Sequence, residues 1–543
     1  LRAKIKEPGY ITDLLRRLLL DNRHRVRLTM VPDSELASRQ DKALSARLAA
    51  RLRALEEEEK RELVARAAAL AARQREKDDP EILPRVGLED VPAEMPIPEG
   101  REQRKPLPIT FFAAGTNGLV YQQAVFDLPK LDDELLEILP DYSSCLTELG
   151  CNGLDYRQTQ AWQAQVSGGI GAYYKVRGAV DDPLEVKGCF VLSGRALRRN
   201  HARLTELLAK TVTTVRFDEV EHIREIMAQA LAHQEQQVTA AGHLLAMRAA
   251  SAGCSPVAAL SHQVHGLAGL RKLKKLYAEI SADRERLVSF GSSFAKLHEI
   301  ITAASCRFLL VGEADYETGL RDELEQGWRD CGLVGRDGTE PFVLNGFSEH
   351  SVRQIWTADS SVNFCAKAYA TVTISHPDAA PLAVLGGFLR NGYLHRAIRE
   401  EGGAYGGGAG HDPGSAAFRF YSYRDPRLEE TLADFDRSLE WLRKADHEPR
   451  QVEEAILGVV SQLDKPGSPA GRAKQAFYDK FFGRDPELLR EYRQRVLRVE
   501  LEDLKRVAAT YLEREPRGIA VLTDARTAAR KADELGFEVI ELN

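Results

Sequence analysis

Apolar and polar positions follow two rhythms along this chain, and the changes of rhythm divide it into segments. Residues 10–21 place Ile11, Leu14, Leu15, Leu18 and Leu19 at helical spacing. Residues 24–31 alternate instead, with Val26, Leu28 and Met30 set against Arg25, Arg27 and Thr29, which predicts a strand ending at Pro32-Asp33. One helix and one strand cannot bury a core, so 1–33 are expected to finish an α+β domain that begins before them. From 34 to 79 the texture changes: Gly and Pro vanish, and Leu44, Leu48, Leu52 and Leu55 share one face. Ser34 suits the N-cap and Pro80 the stop. The acidic break at Glu56 to Glu59 favours two helices folded as a hairpin linker over 34–80, with one long helix as the alternative. The proline-rich residues 80–108 should be irregular or edge-like.

The remainder shows a weak internal repeat, with the second copy about 240 residues after the first. In the first copy a strand (118–128) precedes a helix (132–149) and an amphipathic segment (156–165). A glycine cluster (Gly168, Gly169, Gly171) and another strand follow. The second copy runs strand (362–375), helix (379–391), helix (393–401), glycine cluster (402–410) and strand (417–423). Each copy continues into long helices, at 196–215 and 428–444. Strands followed by helical stretches, without strict βαβ alternation, predict an α+β fold. Two related domains fit, at 81–335 and 336–543, each a mostly antiparallel sheet covered by helices.

Composition excludes several classes. The chain has 543 residues, 43% hydrophobic and 29% charged, with a formal charge of −6. A general nucleic-acid binder needs a basic surface to displace counterions, and this chain lacks that surplus. No apolar run approaches the roughly 20 residues that span a bilayer, and no leader pattern follows Leu1. The expectation is therefore an intracellular protein with neither nucleic-acid nor membrane partners; high Ala and Arg usage suggests a bacterial cytoplasm. Seven scattered cysteines without a Cys-x-x-Cys pair predict reduced, mostly buried thiols.

The segment from Leu394 to Gly410 (LHRAIREEGGAYGGGAG) carries the chemistry. Arg399 lies near a helix C-terminus, where the dipole favours a cation. Gly402 and Gly403 suit the left-handed residues that end such a helix. Tyr405 stands between glycines, so Gly402, Gly403, Ala404 and Gly406 offer bare backbone to an approaching chain and leave the phenol unshielded. A guanidinium and a hydroxyl donor in one small volume suit a developing oxyanion on a peptide carbonyl. A flexible glycine hinge is the plainer alternative. Nucleotide-binding spacings and a Gly-x-Ser-x-Gly elbow are both missing. Asp425-Pro426 reads as an N-cap and first helical position; Arg424 beside it stays open to substrate contact.

The run from Ile398 to Ala409 resembles the Arg/Tyr segment of presequence proteases, zinc metallopeptidases of the pitrilysin (inverzincin) family. Tyr421-Ser-Tyr-Arg-Asp-Pro426, Thr116-Asn-Gly-Leu-Val-Tyr121 and Leu146-Thr-Glu-Leu-Gly-Cys-Asn-Gly-Leu-Asp-Tyr156 are similar to the same family. The resemblance implies a clamshell of two halves joined by a helical hairpin, of which this chain is the C-terminal half. Its implied substrates are short unstructured peptides degraded in a closed chamber. By motif match Arg399 and Tyr405 would hold the substrate backbone and stabilise the tetrahedral intermediate, with Arg424 and the glycine segment along the substrate path. The zinc ligands, His-x-x-Glu-His plus a distal Glu, would come from the N-terminal half, its implied partner. None of the 13 histidines stands in such a motif. The nearest look-alikes are His222-Ile-Arg-Glu225 and the pair His262 and His265. No metal is therefore expected in this chain, which alone should not hydrolyse peptides. The alternative is a non-catalytic scaffold or peptide-binding subunit of the same fold.

Overall fold

The computed structural model describes residues 3–31, 33, 35–75, 84–332, 340–344 and 346–542. They belong to two compact units, Leu1–Arg85 and Val86–Asn543. In the first unit the helix Tyr10–Leu15 runs into a wider π-helical turn, Arg16–Leu20, as the apolar spacing predicts. Residues 24–31 form no strand, contrary to the alternation. A ladder needs a second strand, and without one Val26, Leu28 and Met30 stand 83–93% exposed. The helices Leu36–Ala54 and Glu57–Arg75 follow. The chain is extended at Leu55 (φ −78°, ψ 133°), so the acidic break separates two helices. Ser34, Pro32 and Pro80 lie outside the described residues.

The second unit is built on two six-stranded, mostly antiparallel sheets. The first contains β1 (Arg101–Gln103), β2 (Ile109–Ala113), β3 (Leu119–Asp127), β4 (Ile170–Gly178), β5 (Val186–Leu197) and β6 (Cys306–Gly312), in the order β1-β2-β6-β3-β5-β4. The second contains β7 (Val352–Thr357), β8 (Phe364–Ala370), β9 (Gly406–Asp412), β10 (Ala417–Tyr423), β11 (Gly518–Thr523) and β12 (Glu538–Glu541), in the order β12-β7-β11-β8-β10-β9. Strand for strand, β2-β6-β3-β5-β4 matches β7-β11-β8-β10-β9, each with one parallel pair (β2 with β6, β7 with β11). The internal repeat is thus a repeat of sheet topology. The proline-rich approach ends in the short edge strand β1. The long helix expected from 196 begins only at His201, because Ala196 and Leu197 still pair with β3.

Strands β6 and β11, inside the two sheets, are apolar on both faces because both faces are covered. Phe111, Phe126, Phe190 and Phe308 pack one face of the first sheet against the helices Asp133–Cys145, Arg284–Thr302 and Glu317–Trp328. The first of these starts where the Asp132 carboxylate accepts the Leu135 amide at 2.8 Å. The other face (Phe112, Val125, Val191, Leu309, Val311) is covered by Phe477, Tyr478, Phe481 and Phe482, which come from the far end of the chain. Tyr478 donates its hydroxyl to buried Gln123 at 2.8 Å, and Gln123 in turn donates to Tyr173 and Ser193. The second sheet is covered reciprocally. The helix Gly242–Ser251 lays Leu245, Ala246, Ala249 and Ala250 on Ala366, Ala368, Ala520 and Leu522. Small side chains on both surfaces bring helix and sheet close. No disulfide joins any of the seven cysteines, six of which are buried. Among the described residues no helix is long and apolar enough to cross a membrane.

Two histidines make this packing sensitive to acid. His262 meets Trp356 of β7 edge-on, with ring centroids 5.6 Å apart, and burial pulls its pKa from the ordinary 6.5 to about 4. His411 in β9 reaches the Val372 carbonyl through Nε2 at 3.1 Å, and burial lowers its pKa equally, to about 4. Both stay neutral in the fold, while the unfolded chain binds a proton at each below about 6.5. Their contribution to stability is complete above that pH and is lost as pH falls toward 4. The thermal midpoint should therefore drop between pH 7 and pH 4, and less so in H262Q/H411Q. Equal drops in the two proteins would contradict this.

Candidate functional site

The helix Ala379–Leu389 continues without a break as a π-helical stretch, Arg390–Glu401. It buries Leu394, Ala397 and Ile398 and turns Arg399 outward. The end is closed by the Gly403 amide donating to the Arg399 carbonyl and the Ala404 amide to that of Ile398, both at 3.1 Å. Gly403 has the expected left-handed backbone (φ +79°). Gly402 does not: its φ is −83°. Glycine is required there by space, because a Cβ would collide with the Ile398 backbone carbonyl as well as with the Arg427 guanidinium.

The glycine run is not a turn. Gly406–Asp412 is strand β9, paired along its length with β10 and lying at the edge of the second sheet. Glycine carries no apolar signal of its own, and here the pairing comes from the neighbouring strand. Tyr405 sits just before β9, tied by its amide to the Tyr423 carbonyl at 3.0 Å, and the residue is 63% exposed. Arg399 and Arg424 flank its ring, each guanidinium 6.0 Å from the ring centroid. Neither arginine has an ion pair or side-chain hydrogen bond among the described residues, whereas nearby Arg396 and His395 are matched by Glu401 and Glu400. The fold thus brings Arg399, Tyr405 and Arg424 together on the surface, beside Gly403 and Gly406. Ala404 and Gly402 are buried and face away from solvent.

Arg424 owes its place to a bulge. The β8–β10 ladder pairs Ala366 with Tyr421, yet the next pair is Asn363 with Asp425, so β10 holds one extra residue there. Arg424 takes a left-handed backbone, φ +50°, a conformation a side-chain-bearing residue adopts at a cost of about 1 kcal/mol or more. Bulges re-aim side chains, and this one swings a guanidinium over Tyr405 and Tyr423. Asp425 is not the N-cap its neighbour Pro426 suggests. The helix begins at Glu429, and Asp425 is fully buried, accepting the Arg427 amide (2.9 Å) and the Thr431 hydroxyl (2.7 Å). Burial holds its carboxyl above the usual range.

Two aromatic neighbours escape sequence reasoning. Tyr423 meets Tyr405 edge-on, with ring centroids 5.3 Å apart and planes at 87°. Behind it His243 packs against Tyr423 at 4.5 Å, and burial lowers its pKa. The alternation of Tyr421 and Tyr423 marks a shared face, but nothing in the sequence links His243 to it. Among the described residues no three His, Cys, Asp or Glu side chains converge as a metal site. His222 pairs with Glu225 (3.0 Å) and stacks on Tyr156, while His265 bonds the Tyr174 hydroxyl (2.7 Å). These donor sets do not fit a zinc ion.

Two family models match the chain: a domain associated with peptidase family M16, subfamily C, over residues 30–276, and the PreP C-terminal domain over 357–521. The mitochondrial presequence protease of Yarrowia lipolytica is 29% identical over 527 residues, covering 95% of this chain and 51% of that protein. That of Danio rerio is 26% identical over 555 residues, covering 98% and 54%. The chain spans about half the length of the curated relatives it matches. Among solved structures, a peptidase M16 inactive domain from Pseudomonas fluorescens aligns with a TM-score of 0.52 at 18% identity, over 79% of this chain and 98% of that one. Pitrilysin aligns with a TM-score of 0.53 at 14% identity, over 82% and 45%. At these identities the structural likeness is one of fold.

Proposed function

We propose that this chain, similar over nearly its whole length to the C-terminal half of the presequence proteases of the M16 peptidases, is the closing half of a zinc metalloendopeptidase that degrades short unstructured peptides in an enclosed chamber. The observation that supports this is the exposed Tyr405 between two guanidiniums without acidic partners. A structural arginine normally finds a carboxylate; Arg399 and Arg424 have none among the described residues and stand ready for the oxygen of a peptide carbonyl. On this reading the Tyr405 hydroxyl supplies a third donor to the charge that grows on that oxygen during hydrolysis. Gly403 and Gly406, bare and on the surface, let the substrate backbone come close.

The metal belongs to the N-terminal half, which is the partner this reading requires. The expected result is that the chain alone leaves an unstructured peptide intact and that adding the zinc-binding half restores cleavage. Hydrolysis by the chain alone, or none by the two halves together, would overturn the proposal.

A further inference from the structure

Two cavities, of about 730 and 1140 Å³, share a wall to which Asp479 and Arg484 both belong. Arg484 follows the helix Pro469–Phe481 and a left-handed Gly483. Its guanidinium lies against the turn that ends β9, with Nη2 3.5 Å from where a Cβ on Gly414 would stand. Among the described residues this half-buried guanidinium has no hydrogen bond or ion pair. Burial accordingly pulls its pKa below the ordinary arginine value.

The neighbouring charges do not neutralise it. Asp479 accepts from Gln475 at 2.7 Å, and its other oxygen is 3.5 Å from Arg177. Asp412 is held by Arg419 (3.1 Å), the Ser415 hydroxyl and the Gly414 amide. Asp485 caps the following helix through the Leu488 amide. Beyond Arg177, Lys175 lies over the Tyr478 ring at 4.6 Å without a carboxylate of its own. With Arg419 included, four cations therefore stand against two carboxylates, Asp479 and Asp412, at the junction. A desolvated guanidinium without an anion is costly, and a carboxylate bound by its planar fork removes that cost.

Strand β9 leads to this point. As the edge strand it leaves alternate N–H and C=O groups without a partner strand, and Ala409, Gly410 and His411 line the larger cavity. Tyr405 precedes its first residue, and Arg484 touches the turn after its last. Seven strand residues at about 3.4 Å each span roughly 20 Å. We propose that the junction of Arg484 and Arg177 is a carboxylate subsite, which takes the carboxylate of a short peptide lying extended along β9. This rests on the reading above only in taking the ligand to be a peptide.

The probe is a fluorescent heptapeptide, long enough to follow β9, titrated into the whole chain by anisotropy. The free acid should bind at least about tenfold more tightly than its C-terminal amide. Arg484→Gln should abolish that preference while leaving the amide's affinity unchanged. An amidated peptide with one internal Glu tests the other source of the group: acid-like affinity assigns the subsite to acidic side chains, and amide-like affinity assigns it to the chain terminus. Should Arg484→Gln misfold by circular dichroism, Arg177→Gln takes its place. Hydrogen exchange on the unaltered chain, with the acid protecting β9 and residues 483–485 more than the amide, gives a readout without substitution. Equal binding of acid and amide, or a preference that survives loss of Arg484, overturns the subsite. None of these readouts involves hydrolysis, so a failed reconstitution leaves them standing, and their failure leaves the Arg399–Tyr405 reading untouched.

Discussion

Replacing Tyr405 by phenylalanine is expected to lower peptide cleavage by the reassembled enzyme about 10²- to 10³-fold, the usual loss for one oxyanion donor. The substitution removes only the hydroxyl. The ring keeps its edge-on contact with Tyr423 and its place between Arg399 and Arg424, so the fold and the local charge are unaltered. A donor that acts mainly on developing charge affects the chemical step more than substrate affinity. The loss should therefore appear in kcat with KM nearly constant. A variant within about twofold of the unaltered rate, far short of that loss, would remove Tyr405 from the chemistry.

The second large effect concerns stability. Gly518→Ala should destabilise the chain by about 3 kcal/mol, the upper range for overfilling a tight interior. The new Cβ would meet the backbone carbonyl of Ala250, in the helix that covers the second sheet, and then the side chain of Val352. A backbone carbonyl cannot swing aside as the end of a long side chain can. The helix must lift, and Ala246 and Ala249 lose contact with Ala366 and Ala368. Urea denaturation would read the change, with Gly406→Ala as the control, since a Cβ at Gly406 meets nothing within 4 Å. A shift under about 0.5 kcal/mol, the range of inert surface substitutions, would show that the helix is not packed this closely.

The sequence rhythm reaches the elements whose apolar residues alternate or recur, such as β3, β10 and the helix Asp133–Cys145. It fails where the structural reason lies elsewhere in the chain. Gly406 to Gly410 become a strand because β10 pairs with them, and glycine has no side chain to announce it. Val26, Leu28 and Met30 alternate like a strand but have no second strand to join. The bulge at Arg424 depends on register against β8, which no local pattern carries. Around the candidate site, Arg399 stands out in the sequence as a cation at a helix end and Tyr405 as a phenol within the glycines that follow it. His243 and Arg484 do not, since each gains its significance from neighbours more than 60 residues away.

The reciprocal covering of the two sheets has a cost during synthesis. The first sheet holds all its strands once Gly312 has left the ribosome, yet Phe477, Tyr478 and Phe481 emerge about 170 residues later. At roughly 5–20 residues per second, that apolar surface waits on the order of ten to thirty seconds for its cover. A nascent chain of this design exposes an aggregation-prone apolar face for that interval.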